Sequence, residues 1–243
     1  MRMINHLVTI FLIFSCTTSA MITMSATSQA DPRSVFNEQS PQVLAAIGKL
    51  TIPSERKINN ETQHFIEDCS ATLVRDNYNQ HRWLLSAWHC FENYTNLGRP
   101  ITLKIRDNQG IWHARDVHVV VHGGSMQSDW ALLRAETPLP KAMTALPMDQ
   151  YHEGGVTIAG FSGDDGLGAS GERLTYQENC MPSTLSLDEQ QITVDCLAFK
   201  GASGGAVIQR GKIVGIVSQG DNEGRTSFVS HTMYGHRVAR KVP

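Results

Sequence analysis

The sequence has few charges. Asp, Glu, Lys and Arg make up 18% of its 243 residues, against about 25% in an average soluble domain. Neither sign dominates: 21 Lys and Arg stand against 23 Asp and Glu, a formal net charge of −2. That near balance excludes broad electrostatic attraction to nucleic acid or to an anionic membrane surface. Helical periodicity is missing except for a short terminal helix around Met233–Val242. The most apolar run falls short of the ~20 residues that cross a bilayer as a helix. No C-x-x-C pair occurs, which removes the usual seed of a cysteine zinc site. What remains is a globular composition: 41% hydrophobic residues, with 20 Gly and 9 Pro. A chain of this size can bury roughly 70% of its unfolded surface.

Residues 1–30 hold one basic residue, Arg2, and no acidic one. An apolar stretch from Leu7 to Phe14 follows, and small residues lead to Thr18-Ser19-Ala20 and Ser28-Gln29-Ala30. A basic start, a short apolar core and a small-residue exit describe a secretory signal peptide. Cleavage is expected after Ala20 or Ala30, with residues 31–243 as the remaining domain. Ile13-Phe14-Ser15-Cys16 loosely resembles a lipoprotein cleavage box, although Phe14 is bulky for that site, so lipidation at Cys16 is the alternative. Of the five cysteines, four lie beyond this segment: Cys69, Cys90, Cys180 and Cys196. An even number in an exported chain points to disulfides, with three pairings open. Local pairing would close two short loops, each worth about 3 kcal/mol by chain entropy. A secreted or periplasmic location is expected.

From Cys69 onward, short apolar or alternating runs are separated by turn residues. Ser70–Val74, Trp83–Ser86, Ile101–Ile105, Ile111–His122, Val156–Ala159, Gln191–Val194, Ala206–Ile208 and Ile213–Val217 read as strands. Many short strands with turn signals between them indicate an all-β sandwich or barrel. A Pro-rich stretch, residues 137–147, reads as a linker between two halves of similar size.

Three motifs occur in order: Leu85-Ser86-Ala87-Trp88-His89-Cys90, Ser128-Asp129-Trp130-Ala131-Leu132-Leu133 and Gly201-Ala202-Ser203-Gly204-Gly205. Each alone has a bland reading as a packed loop, a strand-end cap or a flexible turn. Together, in an exported β-rich chain, they resemble the trypsin/chymotrypsin-like serine peptidases. Ser86–Cys90 is similar to T-A-A-H-C, Asp129–Leu133 to D-[IVW]-A-L-L, and Gly201–Gly205 to G-D-S-G-G. Ile216-Val217-Ser218-Gln219-Gly220 resembles the I-V-S-W-G strand that follows. The likeness covers about residues 40–230, and is nearer to the short glutamyl-endopeptidase-like branch than to the longer digestive enzymes.

The resemblance implies an all-β fold of two antiparallel six-stranded β-barrels, at about residues 40–136 and 148–235, with the active site in the cleft between them. It implies a triad of His89, Asp129 and Ser203, with Ser218 supporting Asp129. The backbone amides of Gly201 and Ser203 would form the oxyanion hole. Cys69–Cys90 matches the bridge that pins the histidine loop, and Cys180–Cys196 looks like a bridge ahead of the nucleophile. Leu197, six residues before Ser203, would lie at the base of the primary substrate pocket with Val217 and Gly220. The acid that recognises Lys or Arg is absent at Leu197, and the His of glutamyl-specific relatives is replaced by Val217. An apolar or small side chain is therefore expected on the acyl side of the cut, because an unpaired charge buried there is costly.

Family zymogens are activated when a new N-terminus pairs with the Asp before the nucleophile. Here that residue is Ala202, and no basic residue followed by Ile-Val-Gly-Gly occurs between Ala30 and Cys69. The oxyanion loop is expected to be held by packing and backbone hydrogen bonds instead. No cofactor or metal is expected. His113, His118 and His122 are clustered, with His118 and His122 reading as one face of a strand, but they lack a metal-site spacing. Asn60-Glu61-Thr62 and Asn93-Tyr94-Thr95 are glycosylation sequons. The expected activity is an exported serine endopeptidase acting on proteins or peptides. The alternatives are a catalytically silent relative used as a binding module and an esterase using the same triad.

Overall fold

Period-two alternation is clearest in one strand of the first half, while the strands Trp83–Ser86 and Ala131–Ala135 are buried along nearly their whole length. In β5 (Ile101–Arg106) Ile101, Leu103 and Ile105 have no exposed surface, while Lys104 faces solvent. This is how a pleated strand separates core from water. β2 (Ile47–Ile58), β3 (Glu61–Val74), β4 (Trp83–Ser86), β6 (Trp112–His122) and β7 (Ala131–Ala135) complete a closed antiparallel barrel in the order β2-β3-β4-β7-β6-β5. Pairing of Leu50 with Leu103 closes it. The computed structural model describes residues 30–95, 98–183 and 190–243. The expected leader, residues 1–29 with Cys16, lies outside the described residues. Residues 32–243 form one compact unit.

β2 and the outer part of β3 are not legible in the sequence. Glu55-Arg56-Lys57 breaks the apolar pattern because this hairpin projects past the barrel into solvent. It turns at Asn59 and Asn60, with φ of 52° and 65°, the backbone shape that a two-residue hairpin turn demands and Asn tolerates. Residue 60 of the first sequon is thus a turn residue.

The second half is an antiparallel sheet of β8 (Val156–Phe161), β9 (Leu174–Cys180), β10 (Gln191–Val194), β11 (Ala206–Gln209), β12 (Lys212–Gly220) and β13 (Thr226–Ser230). A short N-terminal strand, β1 (Ser34–Val35), pairs outside β9, so the sheet has seven strands in the order β1-β9-β8-β11-β12-β13-β10. Just beyond β9, Pro182 bridges Val194, and Ser183 N–H donates to the Thr193 carbonyl at 2.8 Å. These contacts bring β8–β13 round on themselves. The second six-stranded barrel is thus present in outline, with β1 added as a seventh strand. β1, β9 and β13 carried no recognised sequence signal. The terminal helix, α1 (His231–Ala239), starts and ends slightly earlier than expected.

Both disulfides follow the local pairing, Cys69–Cys90 and Cys180–Cys196. Cys69–Cys90 ties β3 to the turn that follows β4. Among the described residues, no helix is long and apolar enough to cross a membrane.

Replacing Cys69 and Cys90 together by Ser removes a cross-link with a sequence separation of 21. The double variant should lose about 3 kcal/mol of unfolding free energy, read as a lower urea midpoint with a slope that rises as the released denatured chain exposes more surface.

Candidate active site

His89 sits in a short 3-10 turn, Trp88–Phe91, directly after β4. Buried Ala87 and Phe91 and the Cys69–Cys90 bridge anchor this turn, and Trp88 stacks on His122 with ring centroids 6.1 Å apart. Asp129 lies at the end of the loop that leads into β7. That loop is closed by Gly123 N–H donating to the Trp130 carbonyl at 2.9 Å, and Trp130 Nε1 donates to Ser128 Oγ at 3.2 Å. The fully buried Trp130 ring packs on Tyr234 of α1, centroids 5.9 Å apart. Asp129 is thereby held with no exposed surface.

A buried carboxylate needs donors. Asp129 Oδ1 accepts His89 N–H at 2.9 Å, and Oδ2 lies 2.8 Å from His89 Nδ1. Ser218 Oγ donates to Oδ2 at 2.5 Å. The register of β12 against β13 shifts between Val217 and Gln219, so Ser218 is the extra residue of a β-bulge. A bulge re-aims a side chain and frees backbone groups from the ladder. Both effects are used here, because the Ser218 carbonyl accepts the Ser203 hydroxyl at 3.3 Å. Ser218 thus links Ser203 to Asp129 and through it to His89, while the Ser203 hydroxyl is turned to the Ser218 carbonyl and makes no hydrogen bond to His89.

Ser203 stands in a loop whose shape depends on two glycines. Gly201 has φ of +95° and Gly204 φ of +80°, a region that side-chain-bearing residues resist. A Cβ on Gly204 would lie 2.2 Å from the Ser70 carbonyl oxygen and from Ser86 Oγ. The Lys200 carbonyl is held by Gly163 N–H at 2.6 Å. Since the C=O and N–H of one trans peptide point opposite ways, the Gly201 N–H is turned the other way. Neither the Gly201 nor the Ser203 amide has a hydrogen-bond acceptor among the described residues.

The trypsin-like peptidase domain family matches residues 69–216 of this chain. The chain belongs to that family. The fold of this peptidase is similar to that of the protease Anisep from Arthrobacter nicotinovorans, with a TM-score of 0.60 at 14% identity, over 82% of this chain and 98% of that one. At that identity the likeness is one of fold. No curated protein matches the chain.

Sequence reasoning missed a residue that organises the Gly201–Gly205 loop of this peptidase. Ser70, buried in β3, donates from its hydroxyl to the Gly201 carbonyl at 2.9 Å and accepts Phe161 N–H at 2.9 Å. Its backbone N–H donates to the Ser203 carbonyl at 2.8 Å, and its carbonyl accepts the Ser86 hydroxyl at 2.8 Å. Ser70 thus ties the first barrel to both ends of the Gly201–Ser203 stretch. A serine beside a cysteine carries no pattern that would reveal this.

The expected pocket residues take different positions. Leu197 is partly exposed, with its N–H held by Gln177 Oε1 at 3.0 Å. Gly220 is exposed, and a Cβ there would lie 2.2 Å from the Ala198 carbonyl oxygen. Val217 is 1% exposed in the second hydrophobic core. Ala202 is buried, and a Cβ on Gly160 would meet its Cα and carbonyl oxygen at 2.8 Å, so Ala202 is packed against β8.

The expectation that His118 and His122 share one face is corrected. The register of β6 against β7 shifts between Val119 and Val121. His118 therefore pairs with Arg134 and His122 with Ala131, an odd number of steps that sets them on opposite faces. His113 instead bonds Asp107 at 2.8 Å and holds that carboxyl below its ordinary range. Cys69, His89 and Cys90 bring three donor atoms within 4.8 Å. The two sulfurs are joined in a disulfide and provide no thiolate for a metal.

Ser70→Ala removes two hydrogen bonds behind the Gly201–Gly205 loop and leaves the Phe161 N–H without that partner. We expect about 1–3 kcal/mol of lost stability, and a kcat about tenfold lower, equivalent to ~1.4 kcal/mol in barrier, at similar KM. Peptidase kinetics and urea unfolding on the same sample check both.

Proposed function

We propose that this peptidase is an exported serine endopeptidase in which Ser203 is the nucleophile, His89 the general base and Asp129 the residue that orients His89. The observation that carries this is the fully buried Asp129 carboxylate, hydrogen-bonded at once to His89 and to Ser218, whose carbonyl accepts the Ser203 hydroxyl. A serine hydroxyl is a poor nucleophile until a base takes its proton. With Nδ1 facing Asp129, Nε2 is the His89 nitrogen left to act as base; in the resting structure it lies 4.0 Å from Cys90 Sγ. This reading requires the Ser203 hydroxyl to turn from the Ser218 carbonyl to that nitrogen, and such contacts commonly tighten only when substrate binds.

Ser203 Oγ then attacks the scissile carbonyl while His89 takes its proton. The C–N bond breaks as His89 returns that proton to the leaving amine, and an acyl-enzyme remains. Water activated by His89 cleaves the ester and restores Ser203. The unpaired amides of Gly201 and Ser203 supply the donors that the negative oxygen needs. Export is supported by the leader-like residues 1–30 and by two disulfides, which persist in oxidising compartments.

The Ser203–Ser218 hydrogen bond is also what a catalytically silent binding module would show. Labelling by a fluorophosphonate probe separates the two readings. Wild-type protein should be labelled at Ser203, and an unlabelled wild type would remove the hydrolase reading. Peptide against ester turnover then distinguishes an endopeptidase from an esterase.

Ser203→Ala, His89→Ala and Asp129→Asn should each abolish most peptide hydrolysis without unfolding the protein. A double variant should be little worse than the weaker single, because the three act as a unit. Full activity in purified Ser203→Ala protein sinks the assignment.

Leu197, Val217 and Gly220 bring no charge to the proposed primary pocket, and the Gly220–Ala198 approach leaves little width. Peptide-library cleavage should favour small or apolar residues on the acyl side. A profile dominated by Arg, Lys or Glu contradicts this.

A further inference from the structure

Arg33 lies just before β1, and its side chain is 2% exposed. A guanidinium that deep needs both hydrogen-bond and charge partners. It donates in parallel to the Asp164 carboxylate, Nη1 to Oδ1 at 2.8 Å and Nη2 to Oδ2 at 2.9 Å. Its flat face covers Phe199, with Cζ 4.4 Å from the ring centroid. This fork-and-stack geometry suits arginine and is not available to lysine. The Arg33 hydrogen bonds hold the Asp164 carboxyl below its ordinary range, so the pair stays ionised through neutral and mildly acid conditions.

Asp164 and Phe199 both lead to the oxyanion loop. Phe199 is two residues before Gly201. Asp164 belongs to the 162–171 loop, whose turn is closed by Gly168 N–H donating to Asp164 Oδ2 at 3.2 Å and Ser170 N–H donating to the Asp164 carbonyl at 2.8 Å. The neighbouring residue, Gly163, is the one that holds the Lys200 carbonyl. The same loop therefore carries the partner of Arg33 and the amide that turns the Lys200–Gly201 peptide. Meanwhile β1 has only two residues paired with β9, a weak fastening for the start of the fold.

We propose that Arg33, through Asp164 and Phe199, is a positioning residue that keeps the Gly201 N–H turned toward Ser203, so that the active peptidase must retain residue 33. This rests on Ser203 being the nucleophile and Gly201 an oxyanion donor. Without the guanidinium, the nearly buried Asp164 carboxylate loses its charge partner and keeps the Gly168 N–H, and the Phe199 face is uncovered. The 162–171 loop then loses the restraint that keeps Gly163 against Lys200. Trimming of the N-terminus is compatible with activity up to residue 33 and not beyond it.

The test uses diisopropyl fluorophosphate, which is small and needs no side-chain pocket. It transfers its phosphoryl group to Ser203 Oγ with loss of fluoride, and its P=O oxygen uses the oxyanion donors. Second-order labelling rates are compared for the chain beginning at Asp31, its R33Q and R33K variants, and a chain beginning at Ser34. We expect the rate to fall about 10- to 100-fold in R33Q and in the chain beginning at Ser34, with R33K in between. For peptide hydrolysis, kcat should fall with KM changed less than twofold, whereas general loosening of the fold would move both. Near-UV circular dichroism reports whether each variant is folded. If R33Q does not fold, R33K decides on the same rate. Labelling of the folded variant at the wild-type rate overturns the role of Arg33 while leaving the serine peptidase reading intact. A wild type inert to the reagent overturns both.

Discussion

A carboxylate stripped of water must have its oxygens occupied by donors, or several kcal/mol of desolvation goes uncompensated. Asp129 is in that position, with no exposed surface. Its donors come from three places: the backbone and ring of His89 after β4, and the hydroxyl of Ser218 in β12. The first two lie in the closed barrel with Asp129 itself, and the third comes from the second sheet. The two halves must therefore dock in one register for this carboxylate to be satisfied. The Ser218 bulge is what allows a strand to lend a side chain to Asp129 and a carbonyl to Ser203 at the same point.

A second seam, made mainly of backbone, reinforces the first. Ser70 in β3 touches the loop at Gly201 through its side chain and at Ser203 through its N–H. Gly204 fits against Ser70 and Ser86, and Gly205 against Ala159, where a Cβ would lie 2.1 Å from the carbonyl oxygen. Such contacts are short because glycine removes the side chain that would hold the backbones apart. The loop is thus shaped from below by β3, β4 and β8. Packing of this kind stands in place of a charged residue at position 202, where Ala202 lies flat against β8.

The same stretch is also met by Arg33, just ahead of β1, through Phe199. Arg33, Asp164 and Phe199 form a fork and a stack that no short motif announces. Their sequence positions are too far apart for any local pattern, and Arg33 reads in isolation as one more surface charge. What makes it different is burial, a property of the assembled fold.

How much of this was legible in advance follows the range of the forces involved. Strands such as Ile101–Ile105 and Gln191–Val194 were readable because half-burial imposes a period of two on neighbouring residues. The motifs around His89, Asp129 and Ser203 were readable because loop chemistry there demands particular residues in immediate succession: a glycine where φ is positive, small residues where backbones touch. The even set of cysteines was readable as disulfides, with the local pairing as one of three choices. By itself, then, the sequence determined the β class, the family likeness and the candidate chemical groups. Only the tertiary structure decided that Ser218 sits on a bulge, that the bulge in β6 separates His118 from His122, that β1 adds a seventh strand, that Ser70 bonds Gly201 and Ser203, and that Arg33 pairs with Asp164 and covers Phe199. Each of these depends on a contact between residues distant in the chain. Such contacts exist only once both halves have closed and expelled the water between them, which leaves no local composition or period for a reader of the sequence to follow.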